Sequence, residues 1–209
     1  MTLQTLTHIA DISGGMLYIM AVVLLIGLVV IVDRTWTLAR ISARGERLRR
    51  ALAAHARLDN ASLQRLAHSA TGPHRALLET AARQPHLRHA GDLAAHLEEA
   101  IMVHAPHIDR RLWLLDTTVT LGPLLGLLGT IIGIFHAFKV LGNPGAAPAQ
   151  VTGGVAEALI ATAAGLFIAI VGLVFFNGLQ NRVRLVVHQL ETIKVMLINR
   201  VAAGSGREA

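Results

Sequence analysis

Three apolar runs, residues 16–32, 117–139 and 154–179, constrain this chain more than anything else in it. An apolar helix of roughly 17–25 residues matches the hydrocarbon thickness of a bilayer, whereas a soluble core is built from shorter amphipathic pieces. The first run, at roughly 17 residues, is at the short end, and the second extends about 33 Å as a helix. Of 209 residues, 53% are hydrophobic and only 15% charged, a balance that points to a polytopic membrane protein. The expected fold class is therefore an all-α integral membrane protein with three transmembrane helices.

Composition excludes several functions. The chain has no cysteine, so it forms no disulfide framework and no thiolate metal site. It carries no glycine-rich phosphate loop and no nucleophile elbow. No catalytic residues, no metal and no cofactor are expected, and the chain does not read as an enzyme. The formal net charge is +6, but no basic patch interleaved with aromatics accompanies it, so nucleic acid is not an expected partner.

The basic residues fit a topology signal better. None precedes the first run, while Arg34, Arg40, Arg44, Arg47, Arg49 and Arg50 follow it. Arg110 and Arg111 precede the second run, Arg182 and Arg184 follow the third, and the connection between those two runs holds only Lys139. Lys and Arg accumulate on the inner side and meet anionic membrane lipids there. This predicts a periplasmic N-terminal tail over 1–15 and a cytoplasmic helical region over 33–116. A periplasmic hairpin over 140–153 and a cytoplasmic C-terminal helix and tail over 180–209 complete the expectation.

Within the cytoplasmic region, Ala, Leu and Arg favour helix. Asn60 is placed to cap one short helix, and Thr71-Gly72-Pro73 reads as a breaker followed by a first-turn proline. A helical pattern from about residue 91 is expected to run straight into the second span, kinked at Pro106 and Pro123. Beyond Arg182 the helical period persists, so the third span should continue as a helix. The stretch 1–15 could be an interfacial helix, and 204–209 a frayed end.

Placed on a wheel at about 100° per residue, Ala158, Thr162, Gly165, Ala169 and Gly172 fall within roughly 80°. On the second span Pro123, Gly126, Thr130, Gly133 and Ala137 make a matching small face, widened by Gly122 and Gly129. Such faces let membrane helices pack closely, and a lone threonine commonly bonds its own backbone. Thr130 and Thr162 nevertheless lie at one depth, each ~14 Å from the outer side, so they could line a common polar path. Glu157 is the sharper signal, because an acid in lipid usually faces a cavity, a partner or a pathway. It lies ~140° around the helix from Thr162, which places it on the flank, towards a neighbouring helix or subunit. Hydration at the outer interface is its other reading. His136 reads as interfacial, and the pairs His86/His89 and His104/His107 lack the further ligands a metal needs.

Two segments carry a family resemblance. G-P-L-L-G-L-L-G-T-I-I-G-I-F-H-A-F over 122–138 and G-V-A-E-A-L-I-A-T-A-A-G-L over 154–166 closely resemble the ExbB/TolQ/MotA proton-channel family. Asp33-Arg34 at the end of the first span is similar to the family's opening helix. The resemblance implies three long helices extending into the cytoplasm, a periplasmic N-terminus, the bacterial inner membrane and a homopentameric ring. That ring would enclose the single spans of an ExbD-like dimer bearing the proton-carrying Asp, and would drive a TonB-like transducer. By motif position Thr130 and Thr162 match the family's pore threonines, and Glu157 its membrane glutamate. Protons are the implied ion, with sodium an open alternative. Val171 stands where the family commonly has proline. Three spans argue against a flagellar MotA with four; the H-A-F after Phe135 and the stretch E-A-L-I-A-T-A-x-G-L-F echo TolQ, whereas the short outer hairpin and modest length suit ExbB, which is the preferred of the two. A passive membrane scaffold is the alternative of another class, and a solute transporter would need more spans and a repeated half.

Overall fold

The computed structural model describes residues 15–83, 90–142 and 148–205. The expectations for the N-terminal tail, for His86 and His89, for most of the outer hairpin and for the last four residues lie outside the described residues. Every regular element among the described residues is a helix: α1 Met16–Ala53, α2 Asn60–Ser69, α3 Pro73–Arg83, α4 Ala90–Ile108, α5 Leu112–Leu141 and α6 Pro148–Ser205. Three of these, α1, α5 and the Val151–Val201 part of α6, are long and apolar enough to cross a membrane.

Contacts divide the chain into two compact units. The membrane unit comprises the chain up to Asp33 together with Arg111–Gly178, and the hydrophilic unit comprises Arg34–Arg110 together with the chain from Leu179 onward.

In the membrane unit, Met16 and Met20 of α1 form a small apolar core with Ile168 of α6, flanked by Leu24, Leu125, Ile132 and Ala164. Much of the rest faces outward: Val29, Leu124, Phe135, Phe138, Phe167 and Val174 are all exposed. Lipid is as apolar as these side chains, so nothing drives them inward.

In the hydrophilic unit, α2 packs on α3 and α3 on α4. Val186, Leu190, Ile193 and Leu197 form a fully buried stripe on α6, at the spacing of one helical face. Leu38, Leu52, Leu77, Leu78 and Leu97 are equally buried. Polar links are specific: Arg200 Nε donates to the His55 carbonyl at 2.7 Å, and Lys194 pairs with both Glu98 and Glu191.

Two local expectations change. The cap of α2 is Asp59, whose carboxylate accepts from Ser62 N at 3.1 Å, and Asn60 is the first helical residue. Asp is as good a cap as Asn, and hydrogen bonding from Ser62, through its hydroxyl first and its N–H second, holds the Asp59 carboxyl below its usual pKa. The helix leading to the second span is also interrupted: α4 ends at Ile108 and α5 starts at Leu112. Arg111 between them has φ 73°, a left-handed conformation that no helix continues through. α3, by contrast, starts at Pro73, where the missing N–H costs nothing.

Candidate functional site: a glycine seam between two membrane helices

Helices α5 and α6 meet along an antiparallel seam of small residues. A Cβ built on Gly122 would lie 2.8 Å from the Gly165 carbonyl oxygen, and one on Gly126 3.1 Å from Thr162 Cα. Built on Gly129 it would meet Ala161 Cβ at 2.8 Å, and on Gly133 Ala158 Cβ at 2.7 Å. The seam ends in Gly154 against Ala137 Cβ at 3.2 Å, and at the other side in Gly172 against Val119 Cγ2 at 2.8 Å. From the α6 side, a Cβ on Gly165 would run into the Gly122 carbonyl oxygen. Backbone therefore touches backbone, a spacing that small residues permit and that glycine and alanine supply at most of these positions.

These contacts locate most of the small face read from the sequence. Gly122, Gly126, Gly129, Gly133, Ala158, Gly165 and Gly172 all lie on the seam, and Ala169 N approaches Gly122. Pro123 is half-buried, and within α5 its missing N–H leaves the carbonyl one turn earlier without its helical partner.

The three polar residues are held differently. Thr162 Oγ1 donates across the seam to the Gly126 carbonyl at 3.0 Å. Thr130 Oγ1 donates back to Leu127 of its own helix at 2.6 Å. Both hydroxyl protons are thus used, and each oxygen keeps acceptor lone pairs. Glu157 is half-buried beside Ala158, and no hydrogen bond or ion pair holds its carboxylate among the described residues. Each threonine oxygen can therefore accept from a protonated acid, water or a cation, and no hydrogen bond joins Glu157 to either threonine among the described residues.

Sequence reasoning missed parts of this unit. Ala161, fully buried against Gly129, belongs to the seam. Gly27 of α1 lies so close to Thr118 that an added Cβ would be 3.0 Å from its Cγ2, and a lone glycine amid Leu, Val and Ile was the available signal. Arg111 donates to Asp33 at 3.3 Å, both half exposed. Among the described residues no three His, Cys, Asp or Glu side chains come together as a metal site. His104 and His107 stand 6.3 Å apart, ring to ring.

Comparisons with known proteins agree with this architecture. The sequence model of the MotA/TolQ/ExbB proton channel family matches residues 69–192. A biopolymer transport protein, ExbB-like 3, of Synechocystis is 46% identical over 84 residues, 39% of this chain and 40% of that protein. The Tol-Pal system protein TolQ of Haemophilus influenzae is 46% identical over 77 residues, 36% and 34% of the two chains. The biopolymer transport protein ExbB of Neisseria gonorrhoeae is 39% identical over 83 residues, 37% and 38%. The chain thus matches less than half the length of each of these relatives. With the family model matching well over half of its residues, and with three helices able to cross a membrane, this chain is an inner-membrane protein of the MotA/TolQ/ExbB proton channel family.

Proposed function

We propose that the protein is an ExbB-like stator subunit of a proton-driven motor, coupling the protonmotive force to a TonB-like transducer for transport across the outer membrane. In this reading the N-terminus is periplasmic, the hydrophilic unit and C-terminus are cytoplasmic, and five copies form a ring. The ring encloses a dimer of an ExbD-like single-span partner whose Asp carries the proton. No covalent chemistry and no cofactor take part, and the moving ion is the proton.

The observation that carries the reading is the pairing of a rigid seam with unclaimed acceptors. Thr130, Thr162 and Glu157 keep lone pairs on helices locked by glycine contacts. A protonated Asp brought alongside could donate to such oxygens and be released again without moving the subunit's own helices. The direction of the Lys and Arg bias supports the assigned orientation. A TolQ-like role in a Tol-Pal motor is the second reading, supported by a 46% identity to a TolQ that equals the identity to the ExbB-like protein.

Native mass spectrometry of the complex purified with its genomic neighbours is the first test. Five copies holding two of a one-span, Asp-bearing protein are expected, whereas a lone monomer or dimer would shift the reading to a passive scaffold. Thr162→Val is nearly isosteric and should leave that assembly intact while abolishing energised uptake. Uptake at the wild-type rate would sink the role given to the hydroxyl.

A further inference from the structure

We infer that the hydrophilic unit carries a binding site for a phosphoryl group, in a cleft between α1 and the α2–α3 turn that is lined by Arg44, Arg47, Ser69, Thr71 and His74. The cleft holds about 370 Å³. Two arginines one turn apart on α1 supply positive charge from one wall; Thr71 of the turn faces Arg44, while the Ser69 hydroxyl donates to the Leu66 carbonyl at 2.8 Å and keeps only acceptor lone pairs. Arg44 already donates to Thr71 Oγ1 at 2.7 Å, which fixes its guanidinium and leaves further N–H donors for an anion. A planar, forked donor set of this kind matches phosphate oxygens.

His74 provides the independent observation. It lines the cleft yet is only 2% exposed, and neither ring nitrogen has a hydrogen-bond partner. Buried polar groups are nearly always paired, so an orphaned imidazole calls for an explanation. Its ring is pressed onto Gly45, where any Cβ would collide with Nε2 and would lie 2.6 Å from Gln189 Oε1. Gln189 Nε2 donates to the Ser42 carbonyl at 3.3 Å, while its Oε1 is likewise unpaired. The imidazole is thus held in place by packing alone, with Nε2 turned towards Gly45 and Gln189, and an anion in the cleft would give it the partner it lacks once the ring turns outward.

The charge around the cleft points the same way. No acid lines it, whereas the two other clefts described in this unit contain Glu79 and Glu99. The nearest acid in sequence, Glu46, is engaged by Arg49 and Arg50 at 2.8 and 2.9 Å, so it does not neutralise Arg44 or Arg47. The start of α3 beside Thr71 and His74 adds the positive end of a helix dipole. A phosphate monoester, or the phosphate of a lipid headgroup, fits this chemistry.

The test uses the full chain in phosphatidylcholine nanodiscs, with inorganic phosphate as the probe and chloride holding ionic strength constant. Calorimetry should give a saturable isotherm, and the imidazole signals of 15N-histidine-labelled protein should move with the same midpoint. Arg47→Ala should weaken binding about tenfold, and Arg44→Ala with Arg47→Ala should weaken it further. Both arginines are exposed, so these variants keep the fold. A response to inorganic phosphate assigns the site to a soluble phosphate. The same imidazole response in discs containing phosphatidic acid, with none to free phosphate, assigns it to a headgroup. No saturable response to either probe, an equal response to chloride, or an undiminished isotherm in the double variant overturns the site.

Discussion

In the membrane unit the buried positions of α5 include Gly122, Gly126, Gly129 and Ala137, while Leu124, Phe135 and Phe138 are exposed. In the hydrophilic unit the buried positions of α6 are Val186, Leu190, Ile193 and Leu197. The same helical period thus selects opposite residues. Water expels large apolar side chains, so the hydrophilic unit gains stability from each leucine it covers. Lipid expels nothing of the kind, so the membrane unit gains from close backbone approach and dispersion instead. The polar links differ in the same sense, with a threonine hydroxyl on a carbonyl in one unit and Lys194 between two glutamates in the other. Each link uses the groups its solvent tolerates.

The largest effect should come from putting a soluble-type residue into the seam. In Gly165→Leu the new Cβ meets the Gly122 carbonyl oxygen and stands 3.0 Å from Gly126 Cα, and neither backbone can yield without parting the helices. Because the chain has no cysteine, Ala137→Cys with Gly154→Cys reports the seam directly. These positions are 3.2 Å apart, Cβ to Cβ, near disulfide reach. Cross-linking should be efficient in the parent and lost with Gly165→Leu, and undiminished yield would show that the seam is not what holds the pair.

The next effect belongs to the other unit. Leu97 is fully buried, and Leu97→Ala should cost about 2–5 kcal/mol of local stability. Leu124 is 61% exposed in the membrane unit, and Leu124→Ala should cost well below that. Amide exchange in the full chain reads both. Equal costs would mean that Leu124 is covered by another copy or a partner.

Acid should act selectively on the hydrophilic unit, with a somewhat smaller effect. Burial pushes His74 down from 6.5 to about 4, so between those values the unfolded chain binds more protons than the folded one. The stability contributed by the neutral ring is whole above about pH 6.5 and is lost as pH falls towards 4, by on the order of 3 kcal/mol. In phosphate-free buffer, amide exchange in α3 should accelerate across that window, and His74→Gln should flatten the profile. An unchanged profile would place the acid sensitivity elsewhere.

How much of this was legible in the sequence depends on which solvent wrote the pattern. Three membrane helices follow from hydropathy, because a bilayer fixes length and polarity together. The period of α6 beyond Arg182 was equally plain, since Val186 and Leu190 face water's exclusion. The small faces of α5 and α6 were visible on a wheel as well. A wheel shows that Gly126 and Thr162 are on a small face, but not that they face each other. Hence Thr130 and Thr162 looked equivalent, although one bonds its own helix and the other crosses the seam. The break at Arg111 was hidden because a positive φ is uncommon outside glycine and nothing in an arginine announces it. His74 was hidden for a similar reason, as its burial comes from Gly45 and Gln189, far away in sequence.

The smallest effect tests where the membrane unit's rule of avoiding charge stops. Asp33 and Arg111 bridge at 3.3 Å with 43% and 53% of their side chains exposed. An ion pair so open to solvent is screened and contributes about 0–1 kcal/mol. A double-mutant cycle with Asp33→Asn and Arg111→Gln, read by unfolding in detergent, should give a coupling of that size that fades with salt. The cycle is needed because Asp33 makes a further interaction, so Asp33→Asn alone would overstate the pair. A coupling above about 2 kcal/mol, insensitive to salt, would be the signature of a desolvated pair. The membrane unit would then be tied by charge as well as by glycine, and the contrast between its seam and the ion-paired hydrophilic unit would have to be redrawn one residue further into the membrane.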